Sequence, residues 1–135
     1  MSTPRDTFQL LDSSEKVLLF AHGIGLTPLL AIARKLSFRQ RAFDLHYFVP
    51  SFGSVTHRVE LSDLERNGHV HYHGALDSPA IDRLVGYVVE AIPASTQIYC
   101  CGPTDFNHVI ATHARQWVYG FNIHLESVPP ALEQI

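Results

Sequence analysis

Short, unbroken apolar runs alternate along this chain with segments whose apolar residues recur at helical spacing, and that alternation leaves few folds open. Val17, Leu18, Leu19 and Phe20 are consecutive, as in a strand buried on both faces. After His22-Gly23-Ile24-Gly25, residues Leu29, Ile32, Ala33 and Leu36 fall at i, i+3, i+4 and i+7, one stripe of a helix. Thr27 reads as the N-cap of that helix and Pro28 as its first residue. The unit then recurs. Residues 43–49 read as a strand, Pro50-Ser51-Phe52-Gly53 as a loop, and about 54–66 as a helix with a second capping signal at Ser62 and Glu65. Residues 70–73 form a short strand. Ser78 is read as a cap and Pro79 as a helix start, with Ile81, Leu84, Val85, Val88 and Ile92 on the stripe. Residues 97–101 are a strand. Gly102-Pro103 opens a helix with Phe106, Ile110, His113, Ala114 and Trp117 on one face, and 123–128 is the last strand. Such spacing predicts βαβ units: an α/β, doubly wound, Rossmann-like sheet of five parallel strands with helices on both faces.

The chain's 135 residues amount to one domain, expected over 16–128, with 1–15 before it and a tail at 129–135. Apolar residues make up 46% and charged ones 17%, enough for a packed core. A formal charge of −3 runs against a nucleic-acid binder. No apolar stretch approaches the ~18 residues of a membrane span, and the N-terminus shows no secretory pattern. Cys100 and Cys101 are adjacent, so they build no disulfide framework; a reducing cytoplasm is the expected location.

In an open α/β sheet a ligand lies beyond the carboxyl ends of the strands, where strand order reverses. Two loops suit that place. Gly23-Ile24-Gly25-Leu26-Thr27-Pro28 brings glycines, which admit a phosphate close to the backbone, ahead of a helix N-terminus. It is not the six-position dinucleotide fingerprint, because Pro28 replaces the third glycine. As a bare strand–helix turn it would need no ligand. Cys101-Gly102-Pro103 repeats the design after the fourth strand, and Gly102 is expected to serve ligand entry rather than folding. Cys101 reads as a small polarisable packing residue sooner than a nucleophile, with Cys100 in the core. His69, His71 and His73 share one face of a strand. They read as the wetter side of an edge strand sooner than as a zinc site, and no metal is expected. Glu126 sits at the carboxyl end of the last strand.

Taken together, three motifs resemble a known family. Residues 18–30, from Leu18 through the Gly23–Pro28 loop to Leu30, resemble the first loop of the nicotinamide-binding domain of ferredoxin–NADP reductase-like flavoproteins. Ile98-Tyr99-Cys100-Cys101-Gly102-Pro103 resembles their Cys-Gly-Pro motif, and His124-Leu125-Glu126 their His-x-Glu. Pro4-Arg5-Asp6-Thr7-Phe8-Gln9-Leu10 resembles the connector from a flavin domain, in the form used by phthalate dioxygenase and vanillate demethylase reductases. The resemblance implies that NADH or NADPH is bound by Gly23, Ile24, Gly25, Thr27, Pro28, Ser51, Cys101, Gly102, Pro103 and Phe106. It implies catalytic positions at Cys101 and Glu126, beside hydride transfer to FAD or FMN on a separate flavin-binding domain. A 2Fe–2S cluster on a further domain and an iron–sulfur oxygenase or ferredoxin as acceptor complete the picture. The flavin domain needs roughly another 100 residues, so the chain alone is expected not to turn over.

Three positions depart from the family pattern. His22 stands where glycine is usual, Pro50-Ser51 replaces Arg-Ser, and Val128 replaces the aromatic residue that covers the flavin. They lend weight to a rival reading, a stand-alone nucleotide-binding or regulatory module without redox turnover. A flavodoxin-like FMN binder or a methyltransferase is a third reading, but neither gives the Cys-Gly-Pro loop a role.

Overall fold

A computed structural model describes residues 16–128. The expected connector at 1–15 and tail at 129–135 lie outside the described residues. Five strands are present: β1 (Val17–His22), β2 (Asp44–Val49), β3 (His69–Gly74), β4 (Gln97–Gly102) and β5 (Ile123–Ser127). Between them run α1 (Leu26–Phe38), α2 (Arg58–Leu64), α3 (Ser78–Val89) and α4 (Thr104–Ala114). The strands form one sheet in the order β3-β2-β1-β4-β5, and every pairing is parallel. The doubly wound α/β sheet is as expected.

Continuous apolar strands arise because both sheet faces are covered. On β1, Val17, Leu19 and Ala21 face a core shared with Leu29, Ala33 and Leu36 of α1. Leu18 and Phe20 face the opposite core, with Val85 and Val89 of α3 and Ile110 of α4. The chain winds from β1 out to β3, then crosses the sheet to β4. That reversal leaves β1 and β4 side by side, with Ala21 opposite Cys101 at their carboxyl ends.

The starts of α1 and α3 depart from the expected ones by a residue or two and that of α2 by about four, for identifiable reasons. Thr27 is not the cap of α1. A 3₁₀ turn over Gly23–Gly25 begins the coil earlier, made possible by Gly23 at φ 59°, and Gly25 occupies the cap position without a side-chain bond. Pro28 is thus the third residue of α1, within its first turn, where the missing N–H removes no i→i−4 bond of that helix. Ser62 lies inside α2, which starts after His57, itself in the left-handed region. Asp77 rather than Ser78 caps α3, its carboxylate accepting the Ala80 N–H at 3.0 Å. Trp117 leaves the α4 stripe because the helix stops at Ala114; Val118 is buried in its place.

Candidate functional site

The two predicted loops meet at the switch point and pack on each other. A Cβ on Gly25 would overlap the Cys101 carbonyl and stand 3.2 Å from the Cys101 Sγ. Gly25 is therefore required by contact with β4, whether or not a ligand is bound. Cys101 is buried beneath this loop. Gly102 is likewise enclosed: an added Cβ would lie 2.7 Å from the Phe106 ring and 2.9 Å from the His22 Cβ. The expectation that Gly102 serves ligand entry rather than folding is corrected by this packing, since a side chain there collides with the protein first.

Around the crevice the expected residues take different stations. Ile24 and Thr27 are exposed, while Gly23, Pro28 and Pro103 are half-buried. Phe106 turns into the α3–α4 core, its ring 5.0 Å from that of His22 and 5.2 Å from that of Phe48. His22 thus packs down against α4. Ser51, at the end of β2, is exposed and its hydroxyl lies 3.2 Å from that of Ser54. Glu126 is half-buried and pairs in register with Cys101, so both side chains leave the same face of the sheet. Val128 is buried, and its N–H donates to the Gly102 carbonyl at 2.9 Å.

The two helix starts differ electrically. No acidic residue occupies the first turn of α1, and no side chain caps it. Its N-terminal partial positive charge is therefore open to an anion. The first turn of α4 carries Asp105, whose carboxylate accepts the Phe106 N–H at 2.9 Å. A second negative group would be repelled there.

Asn107 is the residue that motif reading missed. It is buried, and its side chain binds Cys100, Gly102, Glu126 and Ser127. One signal was available: it shares a helical stripe with Ile110, Ala111 and Ala114, where a polar residue must find partners. Burial, and then the neighbouring Cys101, push the Cys100 thiol well above its ordinary range, so it stays protonated and donates to the Asn107 Oδ1 at 3.1 Å.

The histidines of β3 do lie on an edge strand, with His69 and His71 exposed. His46 of β2 joins them, its ring centroid 4.5 Å from that of His71 and 5.2 Å from that of His73, nearly parallel to both. Among the described residues no group of three or more His, Cys, Asp or Glu is placed to hold a metal ion. No helix among them is long and apolar enough to cross a membrane.

Comparison with known proteins gives a consistent answer. The chain is 32% identical over 116 residues to vanillate O-demethylase oxidoreductase of Acinetobacter baylyi, matching 86% of this chain and 36% of that protein. It is 30% identical over 128 residues to phthalate dioxygenase reductase of Burkholderia cepacia, matching 94% of this chain and 39% of that protein. A solved structure of phthalate dioxygenase reductase, described as modular for electron transfer from pyridine nucleotides to [2Fe–2S], superposes with a TM-score of 0.71. That match has 28% identity and covers 87% of this chain and 37% of the other. No family model matches the sequence. This chain thus spans about two fifths of the length of these relatives. With its all-parallel 3-2-1-4-5 sheet and paired glycine loops, it belongs to the ferredoxin–NADP reductase-like superfamily, as a relative of the vanillate demethylase and phthalate dioxygenase reductases.

Proposed function

We propose that this chain is the pyridine-nucleotide-binding part of a flavin-dependent oxygenase reductase. One observation carries the reading: two glycine loops interlock at the switch point of a parallel sheet, with Gly25 against Cys101 and an uncapped, acid-free helix start beside them. The diphosphate fits the start of α1, where Gly23, Ile24, Gly25, Thr27 and Pro28 present backbone and no negative charge. Asp105 makes the start of α4 unsuitable for a second phosphate, so Cys101, Gly102, Pro103 and Glu126 fall to the nicotinamide end. Phe106 supports that loop from beneath, and Ser51 lies toward the adenosine. Bound NADH or NADPH supplies a hydride. The chain's own residues orient the nicotinamide and cover one side of it.

In this reading the hydride acceptor is FAD or FMN on a flavin-binding domain, and electrons pass on to an iron–sulfur oxygenase or a ferredoxin. The two cysteines here cannot supply the four thiolates of a cluster, so a 2Fe–2S centre would sit elsewhere. Cytoplasm is the proposed location.

Titration calorimetry with NADH, NADPH and ADP-ribose tests the site. Without a flavin face, affinity is expected between about micromolar and millimolar, ~4–8 kcal/mol. Absence of heat with all three at millimolar concentration defeats the reading. The 135-residue chain is also expected to be colourless and to oxidise NADH only when a flavin domain is added.

A further inference from the structure

A nucleotide site at the crevice does not by itself require Asn107. The residue is 4% exposed and sits in α4, where asparagine is a poor helix former. Its Nδ2 lies 3.2 Å from the Gly102 carbonyl oxygen, 3.0 Å from the Glu126 carbonyl oxygen and 3.4 Å from the Ser127 Oγ. Its Oδ1 accepts the Cys100 thiol. A carboxamide has two donor hydrogens and one acceptor oxygen, so these contacts use every polar group it has. They also fix its orientation, because the reversed amide would aim its oxygen at two carbonyls.

The position of these bonds matters more than their number. The β4–β5 pairing ends at Gly102 opposite Ser127. Beyond that rung the Gly102 carbonyl accepts from two sides: from Asn107 of α4 and from the Val128 N–H that follows β5. The Gly102–Pro103 peptide is thereby tied both to the helix it opens and to the strand carrying Glu126.

We propose that Asn107 is a positioning residue of the crevice, a clamp that sets the Cys101-Gly102-Pro103 loop against Glu126. It touches no ligand. Its consequence for binding rests on the nucleotide reading above; the clamp itself does not. The start of α1 is held by Gly25 on Cys101, which the pairing of β4 with Ala21 of β1 fixes apart from Asn107. Losing the clamp should therefore loosen the nicotinamide end and spare the diphosphate end.

The test uses the 135-residue chain with Asn107→Leu and Asn107→Ser. Leucine keeps the branched shape at somewhat larger volume and removes the bonds. Serine adds no bulk, is tolerated in a helix at a slight cost with its hydroxyl bonded one turn back, and is too short to reach β5. Amide hydrogen exchange is read at Val128, with the β1 amides as the control for global stability. Affinity is read for NADH and for ADP-ribose, which lacks the nicotinamide. We expect exchange at Val128 to quicken about tenfold beyond the β1 control, and NADH affinity to fall about fivefold to tenfold while ADP-ribose affinity holds, the loss of one or two hydrogen bonds. Exchange at Val128 that follows β1 overturns the proposal. So does an equal fall for both ligands, which marks Asn107 as a core group only. If Asn107→Leu does not fold, Asn107→Ser decides by the same readings. If the parent binds neither ligand, the nucleotide reading fails and the exchange measurement alone decides the clamp.

Discussion

At the scale of single residues, the glycines of the crevice do two jobs, and the structure ranks them. Gly23 needs its left-handed φ of 59° to start the 3₁₀ turn. Gly102 needs no unusual backbone; it needs the room that Phe106 and His22 leave it. Gly102→Val should therefore lower thermal stability as well as binding, since forcing extra carbons into a packed site costs ~1–3 kcal/mol. Thr27→Ala is the contrast. Thr27 is exposed and caps nothing, so its loss should change stability by no more than about 0.5 kcal/mol. Comparable melting temperatures for Gly102→Val and the parent would refute the packing account. Glycine-rich loops were plain in the sequence, but the partner each glycine avoids was not. Cys101 lies far from Gly25 along the chain, and only the pairing of β1 with β4 brings them together.

At the scale of elements, apolar spacing was the dependable signal and helix caps were not. The Leu29, Ile32, Ala33 and Leu36 stripe is buried as expected because burial integrates over many residues. A cap is decided by one local competition. At α3, Asp77 and Ser78 are adjacent candidates, and the carboxylate that reaches the Ala80 N–H wins. Asp77→Ala should cost ~0.5–2 kcal/mol, and Ser78→Ala much less. Leu30→Ala should exceed both, at ~2–5 kcal/mol, because Leu30 is 2% exposed between α1 and the sheet. Denaturant melts of the three variants would rank them; a different order would show that α3 is anchored by something other than its cap. The strand count was readable from the alternation, whereas the place of β4 beside β1 depends on a crossover that no local pattern encodes.

At the scale of the whole molecule, the histidine row on β2 and β3 ties folding to pH. His46 falls from 6.5 to about 3, through burial first and then through His71 and His73. Asp44 pulls the other way, and Lys16 adds to the depression. Burial also lowers His73 and His124. A depressed histidine binds its proton more readily in the unfolded chain. The stability it contributes is therefore complete above pH 6.5 and drains as pH falls toward 3. The loss from His46 is on the order of a few kcal/mol. His46→Phe should flatten the stability profile between pH 6.5 and 4 while leaving pH 8 nearly unchanged; an identical acid slope in variant and parent would remove His46 as its source. No reading of the sequence alone could find this, because His46 and His73 meet only through the β2–β3 register, at 2.9 Å between ring nitrogens.

The contact of Gly25 with Cys101 changes what a glycine motif can be taken to mean. Because that glycine is demanded by the chain's own backbone, a descendant that had ceased to use any coenzyme would still have to keep it in order to fold. Its survival in a sequence would then be a fossil of architecture, and the working state of such a descendant would have to be judged from the groups that folding leaves free to drift: exposed Ile24, Thr27 and Ser51, and the half-buried carboxylate of Glu126.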